Sequence, residues 1–367
     1  MAKRTWRNEW PLPVVLGLLV VCWWLKPLFA GEQATHLAIG LAFAGLFIGA
    51  LLAAMLATQH AEYLAHRFAE PYGTLMLTLS AITLEVVTVV TVMLHNEDNP
   101  AFGRDTMFSV LMIILNGVIG VGLLVGGLRH HEQVYNLRGA KAFLSLLIPL
   151  ATLALIWPDF TVTSGFGTLS TTQKVFLLVM SLLLYGAFLI IQTRTHTGFF
   201  VSESAALEQP PPHPDSAYRW PVHAALLVVY LLLVVLSAEL FATPLDAGVR
   251  RLGMPATLAG FVVALLVLAP EGLAAVRAAW LNQMQRAMNI GLGTALSTIA
   301  LTVPAVLIID LLLGRHAVLG LDPANMMMLV LTFGVSMLTL GSGRTNAMQG
   351  LVHLLLFFSY LVLIFSP

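Results

Sequence analysis

Charge is what this 367-residue sequence has least of: Asp, Glu, Lys and Arg together make up 10% of it. Soluble domains hold about 25%, because a folded surface must be solvated, so most of this surface faces something apolar. Acids and bases are equal at 18 each, leaving no net charge to attract nucleic acid. The single cysteine, Cys22, excludes an intramolecular disulfide and any cysteine-based metal site. A glycine-rich ATP loop, a G-x-S-x-G and an H-E-x-x-H are also absent, which argues against an ATPase and an intramembrane enzyme. What is present is 58% hydrophobic residues at a mean hydropathy of +0.88, the composition of a chain solvated by a bilayer.

Apolar runs of about 20 residues, enough to cross roughly 30 Å of hydrocarbon, occur eleven times. They fall near 11–30, 36–57, 71–94, 106–128, 142–157, 173–193, 221–241, 255–278, 287–313, 324–341 and 347–366. Lipid cannot satisfy backbone amides and alternating strand patterns are missing, so the spans are predicted to be helices. The first carries Trp23 and Trp24 before Lys26-Pro27 instead of a small-residue cleavage site, and is expected to be retained. Twelve of the eighteen Lys and Arg fall on the side of the N-terminus, which places that end in the cytoplasm and the C-terminus outside the inner membrane.

The expected fold class is therefore an all-α polytopic membrane protein. A Pro-rich stretch, EQPPPHPDSAYRW, divides the chain. The domains read as 1–35 (N-terminus and leading helix), 36–200 (five helices), 201–220 (a cytoplasmic linker) and 221–367 (five more). Five is odd, so the second set enters the membrane inverted relative to the first, the plan of secondary transporters whose sites form at the midplane.

Charges inside a span cost several kcal/mol, and four acids raise the question: Glu85, Glu239, Glu271 and Asp310. Glu239 and Asp310 lie within about a turn of a helix end and are expected to reach the interface or cap. Glu85 sits mid-span with Thr74, Thr78, Ala81 and Thr88 on one helical face, a face suited to protein or a water-filled cavity. Glu271 has the matching place in the second half, among Gly260, Ala264, Ala274, Ala275 and Ala278, with Pro270 before it expected to kink or break the helix and free a carbonyl. Two carboxylates can neutralise a divalent cation in low dielectric, and without metal the same burial favours their protonation. Ion and protons then compete for one site. Thr78, Thr88, Ser109, Asn116, Thr294, Ser297 and Thr298 are candidates to line it with neutral oxygens. The histidines make no zinc pattern, and His60, His66, His130 and His131 read as solvated loop residues.

Several segments resemble the calcium/proton antiporters of the cation/proton exchanger group, in their bacterial branch of sodium-potassium/proton and calcium/proton antiporters. They are HAEYLAHRFAEPYGTLMLTLSAITLEV at 60–86, RDTMFSVLMIILNGVIGVGLLVGG at 104–127, LAPEGLAAVRAAWLNQMQRAMNIGLGTALSTIALTVP at 268–304 and GSGRTNAMQGLVHL at 341–354. The resemblance implies one leading helix, two inverted five-helix repeats, and an acid from each repeat at the cation and proton site, here Glu85 and Glu271. Where that family places Gly-Asn shortly before each glutamate, this chain has Ala81-Ile82 and Val267-Leu268, so two amide oxygens are missing. The expectation is an antiporter exporting Ca2+, Na+ or K+ in exchange for H+. It requires no cofactor, works within the lipid bilayer, and leaves the oligomeric state open. A monovalent-only Na+(K+)/H+ antiporter is the alternative. A cation channel is disfavoured, since two isolated acids do not make a ring of ligands.

Overall fold

Eleven helices account for nearly all of the described residues, in line with the eleven apolar runs. The computed structural model describes residues 9–31, 34–67, 72–95, 99–162, 165–201, 220–314 and 317–366. The side chains of His66 and of residues 72–78 lie outside that description, as does the Pro-rich stretch at 202–219. The helices are α1 (Pro11–Ala30), α2 (His36–Arg67), α3 (Tyr72–His95), α4 (Phe102–His130), α5 (Leu137–Leu155), α6 (Thr171–Ile190), α7 (Trp220–Arg251), α8 (Thr257–Trp280), α9 (Met284–Leu313), α10 (Pro323–Thr339) and α11 (Ala347–Phe365). Among the described residues, nine are long and apolar enough to cross a membrane, while Leu79–His95 and Pro323–Thr339 are shorter apolar stretches.

The helices after α1 match in two sets of five. In order, α2 to α6 have 32, 24, 29, 19 and 20 residues, and α7 to α11 have 32, 24, 30, 17 and 19. The third member of each set widens into a π-helix partway along, over Met112–Val118 in α4 and Thr298–Thr302 in α9. The fifth member of each begins with a capping box, Ser170 with Gln173 and Asn346 with Gln349, which satisfies amide donors at the helix start. The fold is thus a leading helix plus two inverted five-helix repeats.

Packing groups the helices differently from the repeats. One compact unit comprises Met1–Asn99 and Pro210–Pro270, and the other Pro100–Gln209 and Glu271–Pro367. In the first, α2 packs along α7, α3 and α1, and a side chain at Gly49 would run into Leu18 of α1. Cys22 is buried on α1. In the second, α4 lies against α11, and α9 against α5 and α6. A two-residue antiparallel ribbon there pairs Gln133 with Thr345 and Val134 with Arg344.

Three expectations change. Both α2 and α7 run about ten residues past the hydropathy limits of 57 and 241, through the polar stretches HAEYLAHR and ATPLDAGVRR. His60, expected in a solvated loop, is a buried residue of α2. Finally, of the kink or break expected at Pro270, the break does not occur, since α8 runs through it. Proline still removes one amide donor, so the carbonyl of Leu266 one turn earlier lacks its intrahelical bond.

Candidate ion site

On α3, Glu85 is 4% exposed and Thr88 fully buried, with Val89 and Val92 continuing the covered face, while Leu79, Thr83 and Leu94 are exposed. The threonine beside the carboxylate thus points to the protected side, as spacing predicted. Thr78 lies on the same helix with its side chain outside the described residues. Glu271 is half-buried on α8, where Gly272, Ala275, Ala278 and Ala279 are buried and Leu273 is exposed. These small residues let a neighbouring helix come close: Val118 of α4 would lie 3.1 Å from a Cβ at Gly272. The two carboxylates occupy nearly the same place in their helices, Glu85 as fourteenth and Glu271 as fifteenth residue of 24.

The neutral oxygens nominated on α4 are engaged within the second unit. Ser109 donates to the Asp105 carbonyl at 2.6 Å and accepts from the Tyr360 hydroxyl at 2.7 Å. Asn116, in the π segment, donates to Thr332 Oγ1 at 2.8 Å, and its carbonyl oxygen accepts from His353 Nδ1 at 3.1 Å. Both are fully buried. On α9, Ser297 and Thr298 donate to the Thr294 carbonyl at 3.0 and 2.9 Å, so all three are drawn to one turn at the start of the π segment. π turns interrupt helices at functional sites more often than elsewhere, and here they occupy the helix that follows each glutamate-bearing helix. Among the described residues no three His, Cys, Asp or Glu side chains group as a metal cage, so a cation held here needs neutral oxygens beside its carboxylates.

Asp310 departs from its expected place at the interface. It is 3% exposed and pairs with Lys174 of α6, Nζ to Oδ2 at 2.8 Å. Glu239 departs as well: it is exposed, but α7 continues to Arg251, so it stands about three turns inside the helix and not at its end. Sequence reading also passed over a cluster in the first unit made by Glu9, His60, His223 and Tyr230, all at least nine-tenths buried. Its one sequence signal is that His60 and His223 each stand on a helix-forming stretch at the edge of an apolar run.

A leading helix followed by two inverted five-helix repeats, each with an acid in its second helix, defines a polytopic membrane protein of the transporter class. Residues 36–194 and 222–366 match the sodium/calcium exchanger protein family, and the chain belongs to it. That is a family of exchangers rather than of catalytic enzymes. The chain is 38% identical over 311 residues to the sodium-potassium/proton antiporter ChaA of Escherichia coli (strain K12), covering 84% of each chain. Its fold is similar to solved structures of native YfkE (TM-score 0.75, 17% identity, 97% of this chain and 100% of that one) and of the H+/Ca2+ exchanger CAX (TM-score 0.67, 15% identity, 97% and 88%).

Proposed function

We propose that this protein is a secondary antiporter that moves Ca2+, Na+ or K+ across the inner membrane in exchange for protons, with Glu85 and Glu271 as its cation- and proton-binding groups. The observation that carries this reading is the pair of acids at matching places in two 24-residue helices of an inverted repeat. A carboxylate held out of water is costly unless it is compensated, and a cation or a proton each provides compensation. The ionised pair binds the cation, the protonated pair releases it, and the repeats rock to expose either state to one side at a time. Thr78, Thr88, Ser109, Asn116, Thr294, Ser297 and Thr298 are the candidates to supply neutral oxygens to the site. The proton gradient drives the cycle, so no cofactor is required.

The repeats span 36–200 and 221–367, joined by a cytoplasmic linker at 201–220, with the N-terminus in the cytoplasm and the C-terminus outside. Ca2+ has support from the relatives that bear the name Ca(2+)/H(+) antiporter, among them one from Bacillus subtilis (strain 168), 28% identical over 197 residues. A monovalent-only Na+(K+)/H+ antiporter is a second reading. It is favoured by buried Ile82, Val267 and Leu268 before the two glutamates, apolar side chains that offer no oxygen to a divalent ion.

Everted vesicles loaded with a pH-reporting dye test the assignment. Glu85→Gln and Glu271→Gln are each expected to abolish proton release on addition of Ca2+, Na+ or K+, with insertion unchanged. Normal exchange by either variant would overturn it, and adding the ions separately to the unaltered protein over pH 7 to 9 decides between the two cation readings.

A further inference from the structure

Away from the ion site, the second unit divides its charge between its two ends. At one end the C-terminus of α4, the start of α5, the C-terminus of α8, the start of α9 and the turn between α10 and α11 meet. His130 Nε2 lies 3.0 Å from the Trp280 carbonyl, and the Gln133 amide donates to the Ala279 carbonyl at 2.9 Å and to Asn282 Oδ1 at 3.0 Å. The backbone N–H of Asn136 donates to Gln285 Oε1 at 2.6 Å, and Val134 pairs with Arg344 across the ribbon. These segments expose Arg129, Arg138, Lys141, Arg277, Arg286 and Arg344, and their one acid is Glu132, which faces Arg344 at 3.5 Å. The opposite end of the unit holds Asp105, Asp159, Asp310 and Asp322 against Arg104 and Lys174 among the described residues. Among the described residues no carboxylate pairs with Arg129 or Arg277.

Two of these arginines share one place with an aromatic ring. The Arg129 guanidinium lies over the Trp280 ring, 4.4 Å from its centroid. Leu273, Arg277 and Trp280 follow one another at steps of four and three residues, so they stand on one face of α8, and all three are exposed. That face runs from an apolar side chain within the span to a base and an indole at the helix end. Leu128 and Leu281, the chain neighbours of Arg129 and Trp280, are exposed as well. We propose that Arg129, Arg277 and Trp280 form a headgroup site for an anionic phospholipid, with an acyl chain along Leu273. Two guanidiniums offer a phosphate diester several N–H donors and two positive charges, with no carboxylate among the described residues competing for them. Trp280 supplies the amphipathic ring that settles at the level of the headgroups, and its face holds the Arg129 guanidinium there. A lipid suits the site better than a free ion, because only a lipid also covers the exposed leucines. Seated there, it ties α4 to α8, the helix that carries Glu271.

The site depends on insertion in a bilayer, and neither on transport nor on which compartment this end faces. Its test is native mass spectrometry of the full chain, released from bilayers of equal parts phosphatidylglycerol and phosphatidylcholine with the same acyl chains. Phosphatidylglycerol is expected to be retained about tenfold or more over phosphatidylcholine. Arg129→Gln and Arg277→Gln should each lower that preference about fivefold, the effect of losing one base near an anionic surface. Arg344→Gln, which removes an exposed base of the same end, should change it by less than about twofold. Equal retention of the two lipids by the unaltered protein would overturn the proposal. So would equal losses in all three variants, which would mean general attraction to a charged surface. With inorganic phosphate added to protein in phosphatidylcholine alone, no phosphate should be retained, and its retention would assign the site to the free ion instead. The lipid preference is read without any substitution, so a variant that fails to fold leaves that reading intact.

Discussion

Lys174 and Asp310 hold each other in an environment that neither would enter alone: their side chains are 12% and 2% exposed, and they meet at 2.8 Å. Removing one partner from such a pair leaves a charge without its counterion, whereas replacing both with apolar groups removes the problem. Lys174→Met is expected to destabilise the protein by about 3 kcal/mol. The double variant Lys174→Met with Asp310→Leu should recover most of the loss, both read by equilibrium unfolding in mixed micelles. Equal losses for single and double variants would mean that the pair is not compensated as described. Sequence alone located Asp310 but not its environment. Hydropathy gives depth along a helix, while burial depends on what packs across from it, and Lys174 entered only the count of Lys and Arg on the two sides. His60 was misread for the same reason, since its partners Glu9 and His223 are remote in sequence. Glu85 and Thr88 were legible because helical spacing alone puts them on one face.

At the scale of elements, the contact of α4 with α11 depends on glycine. A Cβ at Gly350 would run into the backbone nitrogen of Leu124 and stand 2.7 Å from the Gly120 carbonyl, and one at Gly127 would meet the backbone of Ala347. Main-chain atoms cannot swing aside, so any side chain forces the helices apart. Gly350→Ala is expected to cost about 1–3 kcal/mol and to lower the melting temperature in detergent. Gly334→Ala on α10, where nothing lies within 4 Å of the added carbon, should leave it nearly unchanged. Comparable losses for both would remove the close approach as the cause. Helix number and order were legible from apolar runs, and so was the leading helix. The ends of α2 and α7 were not, because a hydropathy window stops at polar residues whether or not the helix continues through them. Nor were the π segments, which depend on an extra residue in a turn rather than on composition.

Taken whole, the chain interleaves its halves: each compact unit draws helices from both repeats, so neither repeat is a packing unit by itself. The orientation rests on the twelve-to-six imbalance of Lys and Arg and can be read chemically. Cys22 is the only thiol and is buried, so an introduced cysteine reports alone. Val162, 98% exposed between α5 and α6, and Val134, 69% exposed between α4 and α5, fall on opposite sides in the proposed arrangement. Val162→Cys should react with a membrane-impermeant maleimide in intact cells, and Val134→Cys only after permeabilisation. The reverse pattern would invert the topology.

The near-equal helix lengths of the two repeats mean that this protein carries its own comparator. A substitution on α3 has a counterpart at the matching place along α8 in the same molecule, in a repeat that runs inverted. Paired scanning of the two helices therefore separates what a residue does by its chemistry from what it does by the side of the membrane it faces.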